Sequence, residues 1–236
     1  MLKLNSLLLL VSLFITSTIY ATDVVYCSGP LFTPEERAVM KRISDTLERS
    51  GFKTFLPQRD GVEAFVQDMI NSPLNSIFGG ARDKVERAIF ATDAYSIIAR
   101  ADAVIVNING RVPDEGAMIE AGIAFSAGVP VVIYKNDIRT TFNGTDNAMV
   151  TYVSPYPKVN KFEDIPAAIR KAIHETTPID RSRYFTEKTP AHIKKMLQLG
   201  KDTLDWIDRI KMNVRPGSEV DARELNELKQ IIEKNK

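Results

Sequence analysis

The hydrophobic positions of this chain fall into short, uninterrupted apolar runs separated by longer stretches with helical periodicity. The runs cover residues 24–27, 52–56, 103–108, 130–134 and 150–153. A strand that is apolar at every position, rather than at every second one, is typical of a sheet buried on both faces. Strands that alternate with helices favour parallel pairing with right-handed crossovers. We therefore predict an α/β fold built on a doubly wound parallel sheet of about five strands.

The stretches between the runs carry helix signals. Thr33, Pro34 and Glu36 form a capping-box pattern ahead of a helix that Gly51 ends. Further helices are predicted at residues 62–70, 82–99, 116–127 and 162–175. Ligands of parallel sheets bind beyond the carboxyl ends of the strands. The loops expected to carry a site are therefore residues 28–32, 58–61, 109–120 and 135–149.

Beyond Pro178 the pattern changes to two amphipathic helices. Apolar residues recur at helical spacing from 193 to 210 and from 225 to 232, and Pro216-Gly217 separates the two stretches. This pattern predicts a helical hairpin that packs on the sheet domain or on a second subunit. We predict an α/β domain at residues 22–177 and a helical C-terminal extension at residues 178–236.

Residues 1–21 have the layout of a secretory signal peptide. Lys3 is their single charge, an uncharged run covers residues 7–19, and Ala21 can precede a cleavage site. The alternative is a retained membrane anchor, although the run is shorter than the roughly 20 apolar residues that a full span needs. We predict export to the periplasm or the medium, with no stable membrane span in the mature chain.

Charge and residue counts narrow the chemistry. Thirty-one basic and thirty acidic residues leave a net charge of +1, which does not favour a nucleic-acid polymer as partner. Cys27 is the only cysteine, so neither an internal disulfide nor a thiolate metal site can form. His174 and His192 are the only histidines, and both lie in predicted helices, which disfavours zinc chemistry and a Ser-His-Asp triad. We predict no metal and no cofactor, and assign any catalysis to carboxylates.

Three carboxylates are candidates. Asp114 follows a predicted strand, Glu120 lies inside the apolar run of the next helix, and Asp93 lies on the preceding helix. A buried carboxylate is costly unless it is paired, so a structural cap or ion pair is the alternative for Glu120. Carboxylates in different environments suit glycosidic chemistry, in which one attacks the anomeric carbon and another donates a proton to the leaving group.

The ordered set of motifs resembles the nucleoside 2-deoxyribosyltransferases. It comprises Tyr26-Cys27-Ser28-Gly29-Pro30-Leu31-Phe32, Leu56-Pro57-Gln58-Arg59-Asp60-Gly61, Asp93, and Asp114-x-Gly116-x-x-x-Glu120-x-Gly122. The resemblance implies a flavodoxin-like sheet and a two-step mechanism. Glu120 would attack C1′ of a 2′-deoxynucleoside, and a second base or water would resolve the glycosyl ester with retention.

The resemblance also implies roles for the remaining site residues. Asp93 would contact and protonate the base, and Asp114 would orient the sugar and the nucleophile. Tyr26 would hydrogen-bond near the nucleophile, Gly29 would let the backbone approach the ligand, and Gln58 and Asp60 would contact the base. Asn147 and Met149 match a segment that family members lend to a neighbouring subunit. These implications predict a homo-oligomer with shared sites, acting on deoxynucleosides and nucleobases in nucleotide salvage.

Two departures and two alternatives accompany this prediction. Family members often end in an aromatic residue that enters a site, whereas this chain continues into helices, and most are cytosolic. The nearest alternative function is an N-hydrolase of deoxynucleosides or their 5′-phosphates, which shares the glutamate; the other is a non-catalytic nucleotide- or sugar-binding module.

Overall fold

The computed structural model describes residues 22–64, 82–213 and 222–235. The predicted signal peptide, most of the helix predicted at 62–70 and the break at Pro216-Gly217 lie outside these residues. Across the described part of the chain, every helix is too short or too polar to cross a bilayer.

Four parallel strands form the central sheet in the order β2-β1-β3-β4. They are β1 (Val24–Ser28), β2 (Lys53–Phe55), β3 (Ala103–Asn107) and β4 (Val131–Tyr134). All five residues of β3 and all four of β4 are buried. β1 pairs with β3 from Val25 opposite Ala103 to Ser28 opposite Val106. The predicted parallel α/β sheet is confirmed, with one strand fewer than expected.

The strand predicted at 150–153 is wrong. Residues Ala148–Thr151 form a short helix instead, because Asn147 caps it: its side chain accepts a hydrogen bond from the Met149 amide at 2.9 Å. The sheet edge beyond β4 carries only an isolated parallel bridge between Tyr134 and Val159. A short apolar run does not by itself distinguish a strand from a buried helical turn.

Helices cover both faces of the sheet. In chain order they are α1 (Pro34–Arg49), α2 (Pro57–Asp60), α3 (Arg82–Tyr95), α4 (Glu115–Ala127), α5 (Ala148–Thr151) and α6 (Ile165–Glu175). Val25, Cys27 and Ile105 pack towards α1 and α6, whereas Tyr26, Val104 and Val106 belong to the core on the side of α3 and α4. This alternation follows from the two-residue period of a strand. The Thr33–Glu36 capping box predicted for α1 is present.

The C-terminal extension forms the two predicted helices, α7 (Ala191–Asn213) and α8 (Ala222–Lys234). α7 packs on α3 so closely that Gly200 faces the backbone of Ala91. Trp206 is buried between the helices, and its indole nitrogen donates to the carbonyl of Glu224 at 3.2 Å. The extension therefore supports α3 from the side opposite the sheet.

Candidate active site

Glu120 receives two hydroxyl hydrogen bonds from β1. Tyr26 and Ser28 are two residues apart on this strand, so both side chains point to the face that α4 covers. The Tyr26 hydroxyl donates to Oε1 of Glu120 at 2.7 Å, and the Ser28 hydroxyl donates to Oε2 at 2.5 Å. Both hydroxyl residues are fully buried. The carboxylate is thereby fixed in orientation with both of its oxygens used.

Burial controls the charge of this carboxyl group. Desolvation raises the pKa of Glu120 to about 7, although the hydrogen bonds from Ser28 and Tyr26 favour its charged form. The negative charges of Glu63 and Asp114 raise this pKa further. Glu120 is consequently ionised above about pH 7, where its carboxylate is weakly solvated and reactive.

Asp93 lies on α3 and is only 7% exposed. Burial raises its pKa well above the usual range, and the charges of Glu63 and Glu120 act in the same direction. Its Oδ1 atom has no hydrogen-bond partner among the described residues. Immediately after α3 the chain forms a π-helical turn, Ser96–Arg100, a feature that is frequent next to functional sites. The raised pKa of Asp93 favours its protonated form, the form that a general acid needs.

Glu63 is a third acid at this site; it is half-buried and was not predicted from the sequence. It follows the turn at Gly61, beyond the carboxyl end of β2, and its negative charge raises the pKa of both Asp93 and Glu120. Burial raises the pKa of Glu63. The sequence pattern assigned this residue to a helix, where a lone glutamate reads as solvated. Its position just past the carboxyl end of a strand was the available signal.

Asp114 has a structural as well as an electrostatic role. It caps α4, and its Oδ2 accepts a hydrogen bond from the Ala117 amide at 2.7 Å. Asp114 also lines a cavity of about 570 Å³ beyond the carboxyl ends of β1 and β3, together with Pro30, Asn107 and Gly110. The cap holds the α4 amino terminus at this cavity, and the negative charge of Asp114 raises the pKa of Glu120.

The structure gives the residues near β2 other contacts. The amide nitrogen of Gln58 donates to the carbonyl of Arg37 at 3.0 Å, while its Oε1 is buried without a partner among the described residues. Asp60 accepts from the Leu56 amide at 2.9 Å and pairs with Arg59 and with Lys211 of α7. In the described part of the chain these bonds account for Asp60 without any contact to Glu120 or Asp93.

Gly29 is required by packing. A Cβ atom there would lie 2.5 Å from the sulfur of Met40 and 2.9 Å from Cβ of Asn107. A larger residue would therefore push β1 away from α1 and β3, in addition to any effect on a ligand.

Asn147 and Met149 lie at the surface of the chain. Asn147 is exposed and caps α5, and Met149 is 84% exposed. Met149 lines a second cavity of about 490 Å³ with Met118, Phe125 and Tyr152. Within the described ranges, no group of three or more His, Cys, Asp or Glu residues is arranged to hold a metal ion.

Comparison with known proteins identifies the family. A family model described as nucleoside 2-deoxyribosyltransferase matches residues 25–153, which is more than half of the chain. The chain belongs to the nucleoside 2-deoxyribosyltransferase family. No curated protein sequence matches it.

Three solved structures that are similar to this chain have low sequence identity to it. A conserved protein from Enterococcus faecalis V583 is 19% identical, with a TM-score of 0.48 over 64% of this chain and 99% of that one. The 2-deoxyribosyltransferase of Bacillus psychrosaccharolyticus is 17% identical, with a TM-score of 0.46 over 61% and 90% of the two chains. That of Leishmania mexicana is 17% identical, with a TM-score of 0.39 over 65% and 98%.

The matched segment contains the acid cluster, Glu63, Asp93 and Glu120, together with the two hydroxyl residues that bind Glu120. Tyr26, Ser28, Glu63, Asp93 and Glu120 all lie within residues 25–153. Helices α6, α7 and α8 lie beyond the matched segment, so the extension that supports α3 is additional to the family core.

Proposed function

We propose that this protein transfers 2-deoxyribose between nucleobases through a covalent ester on Glu120. Membership of the nucleoside 2-deoxyribosyltransferase family supports deoxynucleosides and nucleobases as substrates. The observation that carries the mechanism is that Tyr26 and Ser28 orient Glu120, whose charge acts on the buried acid Asp93.

In the first step an oxygen of ionised Glu120 attacks C1′ of the deoxynucleoside. The C1′–N bond breaks, its electron pair stays on the base nitrogen, and Asp93 supplies a proton to the departing base. In the second step a nitrogen of another base attacks C1′, the ester bond breaks, and the proton of the incoming base returns to Asp93. Two displacements at C1′ give net retention. When the ester breaks, the hydrogen bonds from Ser28 and Tyr26 keep the free Glu120 carboxylate oriented for the next cycle.

Incubation with deoxyinosine and adenine tests this proposal. Formation of deoxyadenosine indicates transfer, whereas free deoxyribose indicates that water resolves the ester, as in the N-hydrolase alternative. Mass spectrometry after incubation with deoxyinosine alone should show a deoxyribose adduct on Glu120. Glu120→Gln should lose both adduct and turnover, and Glu175→Gln, at an exposed position of α6, should keep both. Deoxynucleoside binding without any turnover in the wild type would instead favour the binding-module alternative.

We also propose that the protein is a homo-oligomer in which Asn147 and Met149 enter a neighbouring site. Exposed apolar side chains support this proposal: Ile119 and Phe125 of α4 are 59% and 63% exposed, and Met149 and Tyr152 are 84% and 80% exposed. Phe125, Met149 and Tyr152 line one cavity. Patches of this kind mark interaction surfaces. Mixing inactive Glu120→Gln with inactive Asn147→Ala subunits should restore activity through sites that combine intact residues. Absence of recovery in verified mixed oligomers would exclude sharing.

We propose that residues 1–21 direct export and are removed. Amino-terminal sequencing of the protein purified from its native host tests this: a mature chain beginning near Thr22 supports cleavage, and a chain that retains Met1 contradicts it.

A further inference from the structure

A second cluster of charges lies beside the cavity that Asp114 lines, and the proposed reaction does not use it. Lys135 directly follows β4, and Asp146 lies just ahead of α5. Both side chains are almost fully buried, with Nζ of Lys135 3.2 Å from Oδ1 of Asp146. Lys158 pairs with the other oxygen of Asp146 at 2.6 Å. Hydrophobic residues of similar volume are often at least as stable as a buried ion pair, so this one calls for a reason other than stability.

Lys135 also binds the backbone of the neighbouring loop. Its Nζ donates hydrogen bonds to the carbonyl oxygens of Ile108 at 3.2 Å and of Gly110 at 3.1 Å. Both residues belong to the loop that joins β3 to α4. The ammonium group thus contacts two backbone carbonyls and the Asp146 carboxylate, which matches its three N–H donors. It fixes the β3–α4 loop against the loop that follows β4.

Other hydrogen bonds join the same two loops closer to the surface. The Gly110 amide donates to Oδ2 of Asp137 at 2.9 Å. Nδ2 of Asn109 donates to Oδ1 of Asn136 at 2.9 Å, and the Asn136 amide donates to Oδ1 of Asn109 at 3.0 Å. The asparagine bonds are exposed to solvent, whereas the ammonium of Lys135 is buried. Since hydrogen bonds are electrostatically stronger away from water, Lys135 should hold the loop more firmly than the asparagines do.

The loop that Lys135 binds forms one wall of the cavity. Asn109 and Gly110 line this cavity together with Asp114, and the chain then continues into α4, which carries Glu120. The cavity volume of about 570 Å³ falls within the roughly 300–1,000 Å³ that is typical of small-molecule sites. A wall that is fixed before the ligand arrives spares the ligand the free-energy cost of ordering it.

We propose that Lys135 is a positioning residue that holds the cavity wall, residues 108–110, in the arrangement that binds the ligand, and that Asp146 keeps its ammonium group in place. The identity of the ligand as a deoxynucleoside rests on the proposed function. Without the ammonium group the wall can leave this arrangement, and only a fraction of the molecules is ready to bind. KM then rises by the inverse of that fraction, whereas kcat of the occupied site is retained.

Amide hydrogen exchange tests this role without any ligand. The amides of residues 108–110 are each hydrogen-bonded, so their exchange reports opening of the wall. Lys135→Met leaves Asp146 paired with Lys158 and therefore buries no lone charge. In this variant the three amides should exchange at least about tenfold faster, while exchange within α1 should change by less than about twofold. Lys158→Met removes the other cation of Asp146 and should leave residues 108–110 unchanged.

Three results of the exchange experiment would overturn the proposal. They are unchanged exchange of residues 108–110 in Lys135→Met, equal acceleration in Lys135→Met and Lys158→Met, and acceleration that extends equally to α1. Asn136→Ala removes an exposed bond to the same wall and should accelerate residues 108–110 by about two- to threefold. If Lys135→Met does not fold, unchanged exchange in Asn136→Ala counts against the held wall.

Steady-state kinetics separate positioning from general structural damage. With deoxyinosine and adenine, Lys135→Met should raise KM for deoxyinosine at least about tenfold and lower kcat by less than about threefold. Lys158→Met should change KM by less than about threefold, and Lys135→Arg, which keeps the charge and the donors, should recover part of the loss. A fall in kcat without a rise in KM, or equal rises in KM for Lys135→Met and Lys158→Met, would refute the role in ligand binding.

These measurements also distinguish the two proposals. Faster exchange confined to residues 108–110 in Lys135→Met, in a protein that does not cleave deoxyinosine, supports the held wall and refutes the deoxyribosyl transfer. Transfer by the wild type, with both KM and exchange unchanged in Lys135→Met, supports the transfer and refutes the held wall.

Discussion

The contact between α7 and α3 makes a sharp prediction about two helical glycines. Gly200 of α7 faces α3, and a Cβ atom there would overlap the Ala91 carbonyl oxygen and lie 2.7 Å from Cβ of Tyr95. Gly122 of α4 has nothing within 4 Å of the corresponding position. Alanine at both sites gains helix propensity, but only at Gly200 must the packing change.

The expected free energies have opposite signs. A glycine-to-alanine change within a helix gains about 0.5–1 kcal/mol. At Gly200 the 2.7 Å contact must open to about 3.4 Å, where ordinary packing begins, so α3 and α7 separate by about 0.7 Å or more. Overpacking costs about 1–3 kcal/mol, and the upper part of that range, about 2–3 kcal/mol, applies here because the overlapped atom belongs to the backbone. The net effect leaves Gly200→Ala about 1–2.5 kcal/mol less stable than the wild type. For a chain of this size we expect the Tm to fall by about 2–10 °C, whereas Gly122→Ala should raise it by about 1–4 °C.

Thermal unfolding and urea unfolding, both followed by circular dichroism, measure the Tm and the free energy of unfolding of both variants under the same conditions. Asp93 lies on α3 between Ala91 and Tyr95, so the shift should also reduce turnover, since a displacement near 1 Å can cost about 100-fold in rate. An increase in stability for Gly200→Ala equal to that for Gly122→Ala would refute the close packing of α7 on α3.

Three further predictions concern charge. Glu120→Gln should raise the free energy of unfolding by about 2–3 kcal/mol at pH 8 and by little at pH 4.5. The pKa of Glu120 is raised to about 7 in the folded protein, so the wild type loses stability as the pH rises through that value, whereas the variant does not. Urea titrations at both pH values measure this difference. Tyr26→Phe removes a 2.7 Å donor to Glu120, so the rising limb of the kcat profile should move up by about one pH unit. Asp146→Ala should lower the free energy of unfolding by about 3 kcal/mol, because it leaves the buried side chain of Lys135 without its ion-pair partner. Asp45→Ala, which breaks an exposed pair with Lys41, should lower it by less than about 1 kcal/mol in the same thermal unfolding assay.

The framework of the fold was predictable because it depends on local patterns. Apart from Ser28 at the end of β1 and Asn107 at the end of β3, the strands β1, β3 and β4 are runs of hydrophobic residues, and such runs are typical of a sheet covered on both faces. The error at residues 150–153 has a local cause too: Asn147 supplies a helix cap, and the capping bond outweighs the β-branched composition of the run. Hydrophobicity alone carries no information about that bond.

The candidate site was predictable in part for a different reason. Glu120 and Asp93 interrupt apolar helical stretches, and a charge in such a place needs an explanation. Glu63 gave no such contrast, because a glutamate at the start of a helix is ordinarily solvated. Its effect on the pKa of Asp93 acts between residues 30 positions apart in the sequence. The ion pair between Asp60 and Lys211 spans 151 positions and reaches into the extension. Contacts of this kind arise from the folded chain and leave no periodic signal.

The acid cluster lowers the stability of the fold, and the C-terminal extension raises it on the same side of the sheet. The desolvation that raises the pKa values of Glu63, Asp93 and Glu120 destabilises the α3–α4 side of the sheet. α7 and α8 add buried apolar side chains to the same side, among them Leu197, Leu204, Trp206 and Leu228. Each fully buried side chain of this size stabilises the fold by about 1.5–3 kcal/mol. The absence of a side chain at Gly200 lets this added core press directly on the α3 backbone near Asp93. An extension that offsets the cost of the acids and also fixes the position of one of them explains why its packing should affect both stability and turnover.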